Sequence, residues 1–125
     1  MQFKRDSMLQ FYKKKQVNLL DLIPERTHEW ITTDDGKVKI LVPKYGKNAV
    51  GAWLARHLQQ PYIYIQLDDI GTAVWLACDG HATVQQIGQK LQQQFGKNIE
   101  PVFERLGMFF KQLEQNKFIK WKNLP

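Results

Sequence analysis

The chain has 125 residues and a hydrophobic content of 43%, which suffices to bury one compact core but hardly two. No segment approaches the roughly 20 consecutive apolar residues of a membrane-spanning helix, so we expect no membrane span. The charged N-terminus, MQFKRDSMLQFYKKKQ, lacks the apolar stretch of a signal peptide, and we therefore expect a cytoplasmic protein. Cys78 is the only cysteine, which excludes an internal disulfide and a cysteine-based zinc site.

The net charge of +6 is concentrated near the two ends of the chain. Residues 1–20 carry five bases against one acid, and residues 117–122 carry three lysines and no acid. Between residues 61 and 115 the acids outnumber the bases. Because blocks of like charge are often solvated tails, we interpret both ends as solvated or weakly anion-binding segments.

Two strands, 29–32 and 37–42, are the first predicted elements. They flank Asp35 and Gly36, a dipeptide that is typical of two-residue hairpin turns. Pro43 ends the second strand because proline cannot donate to the hydrogen-bond ladder. The sequence therefore predicts an antiparallel hairpin.

A third strand is predicted at 62–67, where YIYIQL is rich in aromatic and β-branched residues. Its tyrosines alternate with its isoleucines, and the sequence leaves open which pair faces the helices. The connection 44–60 is interpreted as an insertion that contains a short helix. The apolar positions of that helix are Ala49, Trp53, Leu54 and Leu58.

Two helices joined by a tight turn follow the third strand. Asp68 or Asp69 caps the first, which runs to about residue 78 with Trp75 on its inner face. Thr83 caps the second, which spans about 84–95 and ends at a glycine.

A third helix begins near Ile99, carries Pro101 in its first turn and runs to about residue 115. Its apolar stripe is wider than one contact needs, so we expect it to serve both the core and a second contact. The stripe consists of Val102, Phe103, Leu106, Phe109, Phe110 and Leu113. The closing KFIKW predicts a short final strand.

The order of three strands followed by three helices predicts an α+β fold of the winged-helix type, with a three-stranded antiparallel sheet. We expect a basic N-terminal extension at 1–27, one domain at 28–121 with the insertion at 44–60, and a C-terminal tail at 122–125.

The segment LDDIGTAVWLACDGHATVQQIGQKLQQQFG, followed by VFERLGMFFKQLEQNKFIKW, resembles the PqqD family, named for a pyrroloquinoline quinone biosynthesis protein. The shared features are Asp-Ile-Gly before the first helix, its apolar-Trp end and the aromatic third helix. Two dipeptides also match, Asp79-Gly80 at the turn and Thr83-Val84 at the start of the second helix. The resemblance covers about residues 66–121.

The resemblance implies a non-catalytic peptide-recognition module. Members of this family bind the leader of a ribosomally made precursor peptide and present its core to a modifying enzyme, often a radical S-adenosylmethionine enzyme. The leader adds as a strand to the free sheet edge beside the third helix. Carried onto this sequence, the expected peptide-binding residues are Tyr62, Ile63, Tyr64, Ile65, Gln66, Leu67, Val102, Phe103, Arg105, Leu106 and Phe110.

The residues themselves support strand addition, since YIYIQ has no proline or charge to blunt an exposed edge. Proline at Ile65 is expected to weaken binding if the N–H of that residue faces the ligand. An open edge could also pair with a second copy, so a homodimer is left open. For Phe103, Arg105 and Phe110 the sequence leaves peptide contact and core or surface roles open.

Two other functions are alternatives to peptide recognition. A winged-helix DNA-binding protein is the alternative, but Glu100, Pro101 and Glu104 at the start of the third helix are apolar or repelled by phosphate. An enzyme would need a nucleophile with its base, a metal set or a phosphate loop, and the sequence offers none. The histidines are scattered without ligand spacing, so we predict no metal and no cofactor.

Overall fold

The computed structural model describes residues 18–44, 49–57 and 61–124. These residues form two compact units, a sheet unit of His28–Thr72 and a helical unit of 18–27 with 73–124. The described strands and α-helices are β1 (Pro24–Arg26), β2 (Trp30–Thr32), β3 (Val38–Pro43), α1 (Ala49–His57), β4 (Tyr62–Gln66), α2 (Asp69–Ala77), α3 (Val84–Phe95), α4 (Val102–Gln115) and β5 (Ile119–Trp121). The predicted α+β class is confirmed.

The sheet unit contains an antiparallel sheet with the strand order β2-β3-β4. Val38 and Ile40 of the central strand β3 are fully buried, whereas the residue between them is only half-buried, as expected for a strand with one face on a core. Trp30 of β2 and Ile65 of β4 both stand opposite Ile40. The predicted three-stranded antiparallel sheet is therefore confirmed, with α1 inserted between its second and third strands.

The hairpin between β2 and β3 closes through a three-residue loop rather than the predicted two-residue loop. The N–H of Gly36 donates to the Thr33 carbonyl at 2.9 Å, and the N–H of Thr33 donates to the Lys37 carbonyl at 2.8 Å. Gly36 has a φ of 81°, the left-handed conformation that this type of loop requires after a type I turn. Hydrogen bonds from the Thr33 hydroxyl and the Lys37 N–H lower the pKa of Asp35.

A buried hydroxyl fixes the first residue of β3. The N–H of Val38 donates to Thr72 Oγ1 at 3.0 Å, and the Val38 carbonyl accepts from the N–H of Leu67 at 2.9 Å. Thr72 is 7% exposed and is a buried polar side chain of α2. Because a buried N–H without a partner is costly, the Thr72 hydroxyl stabilises the start of β3.

Replacing Thr72 by valine removes this hydroxyl while nearly keeping the shape of the side chain. We expect the free energy of unfolding to fall by about 1–3 kcal/mol, since the Val38 N–H is left buried and unpaired. Urea unfolding followed by circular dichroism measures the change. Thr72→Ser retains the hydroxyl and should lose clearly less stability, and a valine variant as stable as the parent would contradict the role given to this bond.

The helical unit is closed by a two-stranded antiparallel sheet of β1 and β5. Glu25 stands opposite Lys120, and their side chains form an ion pair at 3.2 Å. The final strand expected in KFIKW is thus confirmed, whereas β1 was not predicted. Residues 18–27, which fall in the expected N-terminal extension, are therefore part of the helical unit in the structure.

Both ends of α2 have partners for their free backbone groups. At the start, Asp68 Oδ1 accepts from the N–H of Gly71 at 2.7 Å, which confirms the predicted cap. At the end, Nη1 of Arg26 donates to the carbonyls of Trp75 and Leu76 at 3.0 Å each. Both carbonyls lie in the last turn, where a helix leaves carbonyl groups without their usual intrahelical partners, so Arg26 of β1 caps the end of α2.

α3 begins and ends where the sequence predicted. Thr83 Oγ1 accepts from the N–H of Gln86 at 3.2 Å, and Gln86 Oε1 accepts from the N–H of Thr83 at 2.9 Å. This reciprocal pair is a capping box. At the other end Gly96 has a φ of 60°, which stops the helix. The buried residues of α3 are Val84, Ile87, Gly88 and Leu91.

α4 starts at Val102, later than predicted. Gly96–Ile99 forms a separate 3-10 turn, and Pro101 follows a cis peptide bond and immediately precedes the first helical residue. Glu100 Oε1 accepts from the N–H of Val102 at 3.1 Å. The prediction that Pro101 lies in the first turn is therefore wrong. Pro101 precedes the helix, and the Glu100 carboxylate accepts the hydrogen bond from its first N–H group.

The predicted inner face of α2 and the predicted apolar stripe of α4 both contribute to the core of the helical unit. Trp75 is fully buried and Leu113 is 4% exposed, which confirms both. Phe109 is only half-buried and contacts Phe110 edge to face, with the ring centroids 6.5 Å apart. Phe110 packs in turn against Trp121 of β5, so the aromatic side of α4 holds the final strand.

α4 ends in a Schellman motif built on a lysine. The N–H of Phe118 donates to the Leu113 carbonyl at 2.9 Å, and the N–H of Lys117 donates to the Glu114 carbonyl at 3.0 Å. Lys117 has a φ of 60°, the left-handed conformation that glycine adopts without a steric penalty. The turn before β5 therefore stores local strain.

Replacing Lys117 by glycine should relieve that strain. Because the left-handed conformation costs about 1–2 kcal/mol for a residue with a Cβ, we expect the free energy of unfolding to rise by roughly 0.5–1 kcal/mol after the greater freedom of glycine in the unfolded chain is counted. Urea unfolding measures the gain. Lys117→Ala keeps the Cβ and should show no gain, and an equal gain in both variants would point to the loss of charge instead.

Candidate functional site

The hydrogen-bond pattern of β3 and β4 determines which backbone groups of β4 are free. The N–H of Leu67 donates to Val38 of β3, and the N–H of Lys44 donates to the carbonyl of Pro61, both at 2.9 Å. These pairs continue the antiparallel register in which Ile65 stands opposite Ile40. Since bonded and unbonded pairs alternate in such a ladder, the odd-numbered residues of β4 direct their N–H and C=O groups toward β3.

The even-numbered residues of β4 consequently direct their backbone groups away from the sheet. These are Tyr62, Tyr64 and Gln66, and in the described part of the chain none of their N–H groups has a hydrogen-bond acceptor. The N–H of Ile65 points toward β3, so the condition attached to the proline test at Ile65 is not met. β4 is an edge strand with donors and acceptors at alternate positions, as a pairing strand requires.

Both faces of β4 are open to solvent. Ile63 and Ile65 lie on the same face as the buried Ile40, yet they are 47% and 36% exposed, because an edge strand is covered on one side only. Tyr64 lies on the opposite face and is 52% exposed. The alternation left open by the sequence is thus resolved within the sheet unit: the isoleucines share the core-facing side of the sheet.

The helix of the insertion also exposes apolar side chains. Val50 is 66% exposed and Trp53 is 52% exposed, with the Trp53 ring stacked on His57 at 4.4 Å between centroids. Nδ1 of His57 lies 2.8 Å from the Trp53 carbonyl. Trp53, one of the apolar positions predicted for this helix, is therefore exposed to solvent. Leu58, another of these positions, lies outside the described residues.

The predicted peptide-binding residues of α4 fall into two groups. Val102, Leu106 and Phe110 are buried in the helical unit, so they can act on a ligand only by supporting the surface above them. Phe103 is 37% exposed, and Arg105 is exposed while its Nη1 donates to the Asn98 carbonyl at 2.8 Å. Only the second group offers side chains to solvent.

Phe103 rests on a glycine of α3. A Cβ built on Gly88 would lie 2.3 Å from Phe103 Cε1, far closer than carbon atoms approach. The missing side chain at Gly88 therefore leaves space for the aromatic ring. The sequence pattern does not reveal this contact, because a glycine in a helix indicates only a weak helix former.

A double-mutant cycle measures this contact. Alanine is favoured over glycine in helices by about 1 kcal/mol, so Gly88→Ala should stabilise a Phe103→Ala variant by about that amount and the parent chain by much less. Urea unfolding of the four proteins gives the coupling. Gly107→Ala is the control, since a Cβ there meets nothing within 4 Å and should add the same stability in both backgrounds. Equal gains from Gly88→Ala in both would show that the ring moves freely.

The described residues offer little for catalysis. They contain no group of three or more histidine, cysteine, aspartate or glutamate side chains that could hold a metal ion. Cys78 is fully buried, its thiol donates to the Val74 carbonyl at 3.2 Å, and burial raises its pKa to about 12. A thiol with such a pKa is protonated and unreactive at neutral pH. None of the helices in these ranges is long and apolar enough to cross a membrane.

These features define an α+β protein with a small sheet whose edge strand β4 pairs, among the described residues, with β3 alone. A sequence model of the family described as Coenzyme PQQ synthesis protein D (PqqD) matches residues 62–119, which is 58 of 125 residues. The match covers less than half of the chain, so this region is similar to the PqqD family, in agreement with the resemblance of its helices. The matched region starts at β4 and ends at the first residue of β5. Comparison with curated proteins and with solved structures gives no significant match.

Proposed function

We propose that the chain is a non-catalytic peptide-binding module. It captures the leader of a ribosomally made precursor peptide by strand addition to β4 and presents that peptide to a modifying enzyme. The observation that carries the proposal is the row of outward N–H groups at Tyr62, Tyr64 and Gln66. The similarity of residues 62–119 to the PqqD family supports a role in the synthesis of coenzyme PQQ or another modified peptide.

Strand addition separates affinity from specificity. Main-chain hydrogen bonds to the even-numbered residues of β4 accept any peptide backbone, so they supply affinity without selecting a sequence. Selection comes from side chains beside the new strand. Ile63 and Ile65 favour apolar residues at alternate ligand positions on the core-facing side, and Tyr64 offers an aromatic surface on the other.

The helical unit has its own proposed peptide contacts, on α4. Phe103 and Arg105 supply exposed side chains, and the buried residues beneath them hold the helix in place. The chain brings no catalytic group to the peptide in this mechanism. The chemistry belongs to the partner enzyme, for which a radical S-adenosylmethionine enzyme is the proposed type.

DNA binding is the competing function. The region before and at the start of α4 carries Glu100 and Glu104, both exposed, and phosphate would be repelled there. Arg105 also lies in this region, but its guanidinium donates to the Asn98 carbonyl. These observations favour the peptide over DNA.

Backbone amide NMR distinguishes the two functions. The labelled chain is titrated with synthetic N-terminal segments of small peptides encoded beside its gene, and in a parallel experiment with a short DNA duplex. The proposal expects the peptide to shift the amides of residues 62–67. Shifts caused by the duplex alone, centred on the basic ends, would support the DNA-binding alternative.

Tyr64→Pro tests the free edge directly. Proline removes the central outward N–H and places a ring where the ligand backbone would lie, while the inward bonds of Ile63 and Ile65 are retained. We expect the dissociation constant of the peptide to rise about tenfold or more, which corresponds to the loss of one hydrogen bond at an added strand. Isothermal titration calorimetry measures it.

Thr32→Pro is the matched control. Thr32 occupies the equivalent outward position on β2, because its neighbour Thr33 bonds inward to Lys37. The control should leave peptide affinity unchanged. Equal loss in both variants would show general damage to the sheet, and full affinity of a folded Tyr64→Pro variant would move the binding site away from β4.

A further inference from the structure

The free edge of β4 is complementary to itself. We propose that, without a peptide, a second copy of the chain occupies this edge, so that two β4 strands pair antiparallel about a two-fold axis at Tyr64. The two three-stranded sheets then form one six-stranded sheet. This inference rests on the proposed function in one respect: it makes the second copy a competitor of the leader for the same backbone groups.

The backbone geometry selects the register of the pair. Outward groups occur at positions 62, 64 and 66, so a two-fold axis at Tyr64 places Tyr64 opposite the partner's Tyr64 and Tyr62 opposite the partner's Gln66. All three outward positions of each copy then lie in hydrogen-bonded pairs, and each such pair exchanges two bonds. An axis at Ile63 or Ile65 leaves one outward position of each β4 without a partner in the other. The symmetric register therefore satisfies the most groups.

The side chains match in that register. Ile63 stands opposite the partner's Ile65 on the core-facing side, and the two Tyr64 rings meet on the other side. These three residues of each copy are between 36% and 52% exposed in the single chain, so pairing buries apolar surface that is otherwise wet. Because β4 contains no charged residue, no like charges face each other across the axis.

The opposite edge of the sheet is a poorer template. β2 has three residues against five in β4, so two copies of β2 would pair over a shorter length. A two-fold pair is an isologous contact, so it closes at two copies and leaves β2 at both ends of the new sheet. The expected product is a dimer rather than a fibre.

The dimer and the peptide complex exclude each other. A leader strand and a second β4 need the same N–H and C=O groups of Tyr62, Tyr64 and Gln66. Peptide binding must therefore dissociate the dimer, and the apparent affinity for peptide must fall as the protein concentration rises. The self-paired state keeps the edge covered until a leader is present.

A cysteine cross-link tests the register. Antiparallel bonded pairs have Cα atoms about 5.5 Å apart, within the range that a disulfide spans, so Tyr64→Cys should form a covalent dimer on mild oxidation. Gln66→Cys is the matched control: it is also exposed, but two copies of this position are offset by about 14 Å along the strands. The native Cys78 is buried with a pKa raised to about 12 and should not take part.

Sedimentation velocity of the full chain completes the test. We expect a concentration-dependent dimer, its loss in Tyr64→Pro but not in Thr32→Pro, and its dissociation by a synthetic leader segment that shifts the β4 amides. A monomer at every concentration, with those amides still shifted by the peptide, overturns self-pairing and leaves the proposed function intact. A dimer that cross-links equally at both cysteine positions overturns the register.

The Tyr64→Cys dimer is then reduced, so that only non-covalent contacts hold it together. If no leader segment dissociates this reduced dimer, the proposed competition between the leader and the second copy is overturned. A synthetic peptide of residues 61–67 with added terminal lysines then separates the two proposals. If this peptide dissociates the dimer and the leader segment does not, the result supports self-pairing and counts against leader capture at β4. Failure of both peptides, with no amide shift in the parent chain, overturns both proposals together.

Discussion

The antiparallel register between β3 and β4 is the constraint on which the candidate site depends. Ile40 stands opposite Ile65, and this pairing directs the backbone groups of Tyr64 away from the sheet. A slip of one residue would turn those groups inward and move Ile63 and Ile65 to the other face. The register is held because β3 must bury Val38 and Ile40, which have no exposed surface. The core of the sheet unit thus determines the pattern of donors at its surface.

An exposed edge strand of this kind carries a risk of aggregation. Free backbone groups beside exposed Ile63, Tyr64 and Ile65 form a template for uncontrolled pairing, and proteins usually blunt such edges with charge, proline or a bulge. β4 has none of these within its five residues. An edge that must accept a backbone from another molecule cannot be blunted without losing that ability. The exposure of β4 is therefore a physical requirement of the proposed function, and symmetric pairing is one way to limit this risk.

The sequence predicted the elements whose signals are local. Thr83 and Gly96 marked the two ends of α3, and each of these residues acts through neighbours within four positions. β1 could not be predicted in the same way, because its three residues pair with β5 almost a hundred positions later. Arg26 is likewise assigned to the end of α2 only by tertiary structure. The direction of the N–H of Ile65 also depends on pairing with another strand, so alternation within YIYIQ could not reveal it.

The net charge of the chain affects both proposed states of the β4 edge, the peptide complex and the self-paired dimer. β4 itself is neutral, whereas the chain carries a net charge of +6, so long-range attraction or repulsion comes from residues outside the edge. An anionic peptide is attracted to such a chain, and a second copy is repelled by it. Both effects are screened by salt over about 8–10 Å at ordinary ionic strength. In the proposed competition, low salt therefore favours an anionic leader on β4, and added salt shifts the balance toward the self-paired sheet.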